Sequence, residues 1–246
     1  LHATTDADRT RLVPVNRKYR LEELIEVCKR FPLAKRRRGT FVYVLIDGVT
    51  IQNSPMWEIH PVLCRNVIVQ KVNINSHGPN NDGCNPESCT DVLIKDCYFD
   101  TGDDCIAIKS GRNADGRRLK AATENIIVQG CRMKDGHGGI TVGSEISGGV
   151  KNLFAENCRL DSQNLDHALR VKNNAMRGGL LENLHFRNIE VGQVAHAVIT
   201  IDFNYEEGAK GSFTPVVRDY TVDNLRSVKS KHALDVQGLS GAPIVS

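Results

Sequence analysis

Short apolar segments recur along this chain with the spacing apolar-x-apolar-x-x-apolar. The seven copies begin at Val44, Val67, Val92, Ile126, Leu153, Leu184 and Tyr220. Successive copies are 23, 25, 34, 27, 31 and 36 residues apart, which indicates one repeating unit with insertions of variable length. Because the segments are short and rich in β-branched residues, they predict strands. The repeat therefore predicts an all-β solenoid, a parallel β-helix.

An Asn or Asp precedes most copies of the repeat. These residues are Asn66, Asp91, Asn125, Asn152 and Asn183. Asn and Asp side chains satisfy backbone groups in tight turns, so the same turn is expected on coil after coil.

A second set of segments lies between the copies and alternates apolar with polar residues. It comprises residues 105–109, 139–142, 169–172, 198–202 and 234–236. Period two predicts strands with one side in the core and the other facing outward. The predicted core residues are Ile106, Ile108, Ile140, Val142, Leu169 and Val171. The predicted outward residues are Lys109, Thr141, Arg170 and Lys172, which make one face of the solenoid polar and charged.

The composition is that of an ordinary soluble protein, with 25% charged and 40% hydrophobic residues. No apolar run approaches the roughly 20 residues that cross a bilayer, so no membrane partner is expected. The net charge of +3 comes from residues 1–40, which hold 11 Lys and Arg against 5 Asp and Glu. The basic run at residues 35–38 is interpreted as a solvated turn, and no nucleic-acid partner is inferred.

The eight cysteines are too few for a disulfide scaffold and lack the paired spacing of a zinc site. Cys97, Cys131 and Cys158 occupy one repeat position and are expected to stack in the core as free thiols. Cys84 and Cys89 are close enough in sequence to pair, and the sequence leaves this open.

Aligning the inward residues of successive coils brings several polar side chains together. With Cys84, Ile106, Ile140 and Leu169 in register, Asp82 and Asp104 take equivalent positions on neighbouring coils, about 4.8 Å apart. Asp103 and His137 are equivalent in the same way. Gly83 and Gly102 permit the bend that would turn both carboxylates outward.

These residue types suit acid–base hydrolysis. The stacked pair could hold and deprotonate a water, and repulsion among three carboxylates would keep one of them protonated as an acid. Arg170 and Lys172, one coil further along, are suited to an anionic group.

Four segments of the chain carry these residues: Asn80-Asn81-Asp82-Gly83, Gly102-Asp103-Asp104, Gly136-His137-Gly138 and Arg170-Val171-Lys172. In this order they resemble the motifs of the polygalacturonase family of glycoside hydrolases. The resemblance covers residues 41–246. It implies a right-handed β-helix that hydrolyses α-1,4-galacturonosyl linkages of pectin with inversion, without metal or cofactor. Asn81 departs from the family, which has Thr there.

The resemblance also implies a role for each site residue. Asp103 would be the general acid, supported by His137, and Asp82 and Asp104 would activate the water. Arg170, Lys172 and Tyr205 would bind the galacturonate. The insertion at residues 111–119 resembles bacterial and plant-like members and favours exo-action.

Residues 1–48 resemble a different family, the radical-SAM adenine methyltransferases that modify ribosomal and transfer RNA. The matching segments are residues 1–3, 11–19, 21–31 and 41–48, but the cysteine cluster of that family is absent. The two resemblances meet at residues 43–50, which indicates a chimera. We expect residues 1–40 to form a basic, partly helical segment of different origin, with a helix at residues 21–31. Residues 41–246 would then form the catalytic β-helix domain, lacking its first coils.

Other functions remain open. A hydrolase of rhamnogalacturonan or another pectin backbone would use the same groups, a lyase on this fold would need calcium ligands and an Arg base, and a truncated hybrid would be non-catalytic. The expected partner is a pectic polysaccharide or oligogalacturonide, the expected state a monomer. A secreted or periplasmic location is expected from the polymeric substrate, although residues 1–246 contain no signal peptide.

Overall fold

The computed structural model describes residue 23, residues 44–242 and residue 244 of the 246-residue chain. Residues 44–242 coil into a right-handed parallel β-helix, which confirms the predicted fold class. Apart from Glu23, the predicted helix at residues 21–31 and the basic segment 1–40 lie outside the described residues. No helix in the described part of the chain is long and apolar enough to cross a membrane.

Seven strands contain the seven copies of the apolar repeat. They are β1 (Val44–Asp47), β3 (Arg65–Gln70), β5 (Thr90–Lys95), β8 (Thr123–Gln129), β11 (Val150–Leu160), β13 (Leu180–Gln193) and β15 (Val216–Lys229). They pair in parallel, and the first residue of each copy lies opposite the first residue of the next, from Val44 to Tyr220. The predicted repeat is therefore the coil of the helix.

A second wall follows the first around a corner. Its short strands are β2 (Thr50–Gln52), β4 (Asn73–Ser76), β6 (Tyr98–Thr101) and β9 (Arg132–Met133). Because β11 pairs with both β8 and β9, it runs through the corner, and within the described residues the two walls form one 11-stranded sheet.

The third wall is a separate five-stranded parallel sheet. Its strands are β7 (Ile106–Ile108), β10 (Gly136–Val142), β12 (Leu165–Lys172), β14 (Ala197–Asp202) and β16 (His232–Gln237). The six side chains predicted to face the core from this wall are buried. A short helix, α1 (Asn113–Leu119), interrupts the chain between β7 and β8. The outward side of this third wall carries the candidate site.

The predicted Asn and Asp residues stack from coil to coil, but the structure places them inside strands β3, β5, β8, β11 and β13 rather than in turns between coils. All five predicted turn residues adopt positive φ, between 51° and 61°. The side-chain amide of Asn125 donates to Asp91 at 2.9 Å, and Asn152 and Asn183 each donate to the residue one coil before at 3.0 Å. Asn and Asp tolerate this left-handed conformation better than most residues, and here they also stack into a ladder.

Six of the seven described cysteines are buried. Cys97, Cys131 and Cys158 are buried free thiols, which confirms the predicted stack. Cys84 and Cys89 are also buried free thiols, so they do not form the disulfide that the sequence left open.

Candidate active site

The predicted register of the third wall is the register of the structure. Cys84 pairs with Ile106, Ile106 with Ile140, and Ile140 with Leu169. The segments before these residues carry Asp82, Asp103, Asp104 and His137. Successive coils therefore bring the four motifs to one face of the β-helix.

Two glycines shape the bends that precede the outward strands. A Cβ on Gly83 would lie 2.5 Å from the Phe99 ring, and one on Gly102 would lie 2.2 Å from the carbonyl oxygen of Gly78. Only glycine fits at such distances, so the chain can bend tightly between coils. Asp82 and Asp104 lie at these bends, and both carboxylates contact side chains of the outward face.

Asp104 is surrounded by donors. Lys172 Nζ lies 2.5 Å from its Oδ2, Thr141 Oγ1 donates to its Oδ1 at 2.9 Å, and Arg170 Nη1 lies 3.8 Å away. Its side chain is 1% exposed. Burial acts to raise the pKa of Asp104, but the charges of Lys172 and Arg170 outweigh it and hold the pKa below its ordinary value. Asp104 is therefore an ionised carboxylate near neutral pH.

Asp82 lies in a different environment. Asn85 Nδ2 donates to its Oδ2 at 2.8 Å, and Lys109 Nζ lies 3.4 Å from the same oxygen. Burial raises the pKa of Asp82 to about 7, against the charge of Lys109, and the nearby Asp104 and Asp103 add to the rise. Repulsion among carboxylates was the predicted cause of such a shift. It contributes, but burial is the larger cause.

Asp103 is the most accessible of the three carboxylates, with 18% of its side chain exposed. Its Oδ1 accepts the backbone N–H of Asp104 at 2.9 Å and lies 3.1 Å from Nδ1 of His137. The hydrogen bond to Asp103 raises the pKa of His137, which is half exposed. The predicted pairing of Asp103 with His137 is present in the structure.

The predicted substrate-binding side chains lie on the next coils. The Tyr205 ring centroid is 5.6 Å from the guanidinium carbon of Arg170 and 5.2 Å from Lys172 Nζ. Arg170 Nε is buried without a hydrogen-bond partner, and Arg170 Nη1 donates to the His137 carbonyl at 3.4 Å. Lys172 faces outward as predicted, but it is buried because it contacts Asp104.

Asn81, the departure from the family motif, anchors the preceding coil. Its side-chain Nδ2 lies 2.7 Å from the Ser54 carbonyl oxygen, 2.8 Å from Glu58 Oε1 and 2.9 Å from Ser76 Oγ, and it donates its two hydrogens among these three acceptors. The residue therefore fixes the backbone immediately before Asp82.

Sequence reasoning missed several side chains that surround Asp82. Lys109 was placed on the outward face without a role, and Glu145, Asn85 and Trp57 were not singled out. Lys109 Nζ bonds Glu145 Oε2 at 2.9 Å and lies 4.5 Å from the Trp57 ring centroid. The alternation that ends at Lys109 was a usable signal, whereas Glu145 and Trp57 lie outside the periodic segments.

The insertion that contains α1 packs against the segment that carries Tyr205. Arg177 is completely buried; its Nη2 lies 2.7 Å from Glu206, and its Nη1 donates to Asn113 at 3.0 Å. Asn174 Nδ2 donates to the Tyr205 carbonyl at 2.8 Å. These contacts hold one end of the outward face in place.

One group of possible metal ligands occurs among the described residues. His77, Asp100 and Asp135 each place a ligand atom within 4.8 Å of the others. Lys134 Nζ lies 3.1 Å from Asp100, and Ser162 Oγ donates to Asp135 at 2.5 Å. Since Asp100 and Asp135 already have these partners, and His77 Nε2 lies 3.0 Å from Asp100 Oδ1, we interpret the group as an ion-pair network rather than a metal centre.

Comparisons with known proteins find similar polygalacturonases. A probable polygalacturonase of Vitis vinifera is 33% identical over 175 residues, which covers 70% of this chain and 35% of that protein. The crystal structure of a hyperthermoactive exopolygalacturonase from Thermotoga maritima is similar, with a TM-score of 0.78 and 42% identity. That match covers 90% of this chain and 53% of the other. The chain thus spans about a third and about half of these two relatives.

A different protein matches a short part of the chain. The dual-specificity RNA methyltransferase RlmN of an Anaeromyxobacter species is 55% identical over 49 residues, 20% of this chain and 13% of that protein. This agrees with the two resemblances seen in the sequence; the domain boundary at residue 40 stays a prediction. The family model for glycosyl hydrolases family 28 matches residues 40–244, and this chain belongs to that family.

Proposed function

We propose that this protein hydrolyses α-1,4-galacturonosyl linkages of polygalacturonate or pectin with inversion at the anomeric carbon. The observation that carries the proposal is the cluster of Asp82, Asp103 and Asp104 on one outward face, each in a different electrostatic environment. Glycoside hydrolysis needs one carboxyl group that gives a proton and another that takes one.

Asp103 suits the role of general acid. It is the most accessible carboxyl group of the three, so a glycosidic oxygen can reach it. When Asp103 has given its proton to the leaving group, the adjacent His137 can donate a hydrogen bond to the resulting carboxylate. His137 thus supports the acid without contacting the bond that breaks.

Asp82 and Asp104 suit the activation of water. Asp104 is ionised by its cationic neighbours, whereas Asp82 loses its proton only near pH 7. The pair therefore carries one negative charge below about pH 7 and two above it. An inverting enzyme separates its acid and base carboxyl groups by roughly 6.5–9.5 Å to admit the water, and we expect this spacing between Asp103 and the pair.

Arg170 and Tyr205 suit the binding of an acidic sugar. The guanidinium has a buried Nε without a partner, and its fork matches a carboxylate in two-point contact. Lys172 remains a predicted second contact, although Asp104 already engages its ammonium. The names of the similar proteins from Vitis and Thermotoga also favour galacturonate over a neutral sugar.

Removal of sugars from a chain end is favoured over internal cleavage. The insertion with α1 is fixed through Arg177 to the segment of Tyr205, and we infer that it closes one end of the outward face. The Thermotoga relative is an exopolygalacturonase. Because the polymer lies outside cells, we propose a secreted or periplasmic location.

The direct experiment is release of reducing ends from polygalacturonate by the protein and by Asp103→Asn. We expect the variant to lose about 10²- to 10⁴-fold in rate with an unchanged melting temperature, since Asn keeps the shape but has no acidic proton. Product chromatography should show monomer or dimer first for an exo-enzyme. Near-normal turnover by the variant would remove Asp103 from the acid role.

The same assay distinguishes the alternatives. An unsaturated product would identify a lyase, and release from rhamnogalacturonan but not from polygalacturonate would identify the related hydrolase. Cooperative melting without turnover on either polymer would identify a non-catalytic β-helix.

A further inference from the structure

Lys109 is a buried cation shared by two carboxylates. It follows β7 on the outward face, and 4% of its side chain is exposed. Its Nζ bonds Glu145 Oε2 at 2.9 Å and lies 3.4 Å from Asp82 Oδ2. Trp57 covers it, with the ring centroid 4.5 Å from Nζ. A buried ammonium needs compensating charge, and here the two carboxylates compete for it.

We propose that Lys109 is a positioning residue, and that its division between Glu145 and Asp82 decides whether Asp82 carries a proton at the working pH. The inference rests on the proposed function in one respect, namely that Asp82 helps to activate the water.

The distances favour Glu145 as the main partner of Lys109. Lys109 makes a hydrogen bond to Glu145, whereas its contact with Asp82 is a longer ion pair. Burial acts to raise the pKa of Glu145, but the charge and hydrogen bond of Lys109 hold it below its ordinary value. The pKa of Asp82 rises despite the same cation. Lys109 therefore compensates the charge of Glu145 more than that of Asp82.

No other cation replaces Lys109 at Asp82 within the described residues. Arg170 and Lys172 lie beside Asp104 instead. Titratable and charged groups surround Asp82 on four coils. The preceding coil carries Glu58, and the following coil carries Asp103, Asp104 and Lys109. The coil of β10 carries His137 and Glu145, and β12 carries Arg170 and Lys172. Lys109 is the cation of this set that contacts Asp82. Removing the charge of its main partner, Glu145, should therefore change the pKa of Asp82.

The test uses Glu145→Gln, Lys109→Met and the double variant. If Lys109 is shared, Glu145→Gln frees it for Asp82, and the acidic limb of the kcat/KM profile moves about one unit to lower pH. Lys109→Met removes the cation, and the limb moves about one unit to higher pH. The double variant should resemble Lys109→Met alone, because Glu145 acts through Lys109.

A matched control is Lys151→Met, which breaks a partly buried ion pair between Lys151 and Glu182 at 3.3 Å. This pair lies on β11 and β13, away from the site. The control should leave the acidic limb in place. A merely structural role for Lys109 would lower kcat at every pH without shifting the limb, and that result would overturn the inference.

Carboxyl ¹³C NMR titration tests the same point without relying on activity. The Asp82 signal, assigned by its loss in Asp82→Asn, should titrate near pH 7 in the parent and lower in Glu145→Gln. An Asp82 titration unchanged in folded Glu145→Gln would overturn the inference, whether or not Lys109→Met folds. If the parent fails to hydrolyse polygalacturonate, the proposed function falls, while this titration still decides the role of Lys109.

Discussion

Asp82 and Asp104 occupy equivalent places on neighbouring coils, yet their neighbouring side chains and their pKa shifts differ. Asp104 lies among Lys172, Arg170 and Thr141, and its pKa is lowered. Asp82 shares one cation with Glu145, and burial raises its pKa to about 7. The repeated backbone gives both residues the same position, while the side chains around each one determine its charge. A solenoid can thus place two carboxyl groups at equivalent backbone positions and still give them opposite pKa shifts.

The largest expected effect on stability comes from Asp104→Asn. The variant leaves the Lys172 ammonium buried without its carboxylate, which should cost about 3–5 kcal/mol in the free energy of unfolding. Urea denaturation measures this loss. The double variant Asp104→Asn/Lys172→Met should recover part of it, and a full-sized loss in the double variant would mean that the ion pair is not the cause.

Asp82→Asn should become more stable relative to the parent as pH rises. The pKa of Asp82 is higher in the folded protein, at about 7, than in the unfolded chain. Its contribution to stability is therefore fully present below the unfolded pKa and is lost as pH rises through the folded pKa. The parent should therefore lose stability relative to Asp82→Asn between pH 5 and pH 8 by an amount on the order of 2 kcal/mol.

His137 also has a raised pKa and contributes to the pH dependence of stability. This contribution is common to the parent and Asp82→Asn, so it cancels in their difference. Thermal melts of both proteins across this pH range give the difference directly. A stability difference that stays constant with pH would show that Asp82 does not titrate there.

Arg170→Lys should have the smallest effect on stability and a clear effect on binding. Lys keeps a positive charge near Asp104 but lacks the planar fork, so KM should rise about tenfold while kcat changes less. Steady-state kinetics on oligogalacturonides measure both constants. A fall in kcat with unchanged KM would instead mean that Arg170 acts on the charge of Asp104 and does not bind the substrate.

The sequence could predict the scaffold because the scaffold is periodic. The apolar spacing identified the coils, and period-two alternation placed Cys84, Ile106, Ile140 and Leu169 in register. That register was sufficient to bring Asp82 near Asp104 and Asp103 near His137. In a solenoid, each coil contacts its neighbours, so a local pattern predicts contacts between residues far apart in sequence.

The charge state of each carboxylate could not be predicted in the same way. Glu145 lies after β10 in a non-periodic segment, 36 residues from Lys109, and no pattern indicates that it reaches that side chain. Alternation also shows which side of a strand a residue faces, but not how deeply its neighbours cover it. Lys109 and Lys172 were therefore placed outward correctly, while their burial came only from the structure.

The most direct test of the account is the anomeric form of the first product, followed by ¹H NMR during hydrolysis of an oligogalacturonide. Attack by a water held at Asp82 and Asp104, opposite a leaving group protonated by Asp103, should convert the α-linkage first into the β-anomer. The α-anomer appearing first would contradict this arrangement, because it would require one of the carboxylates to bond the sugar instead of activating a water.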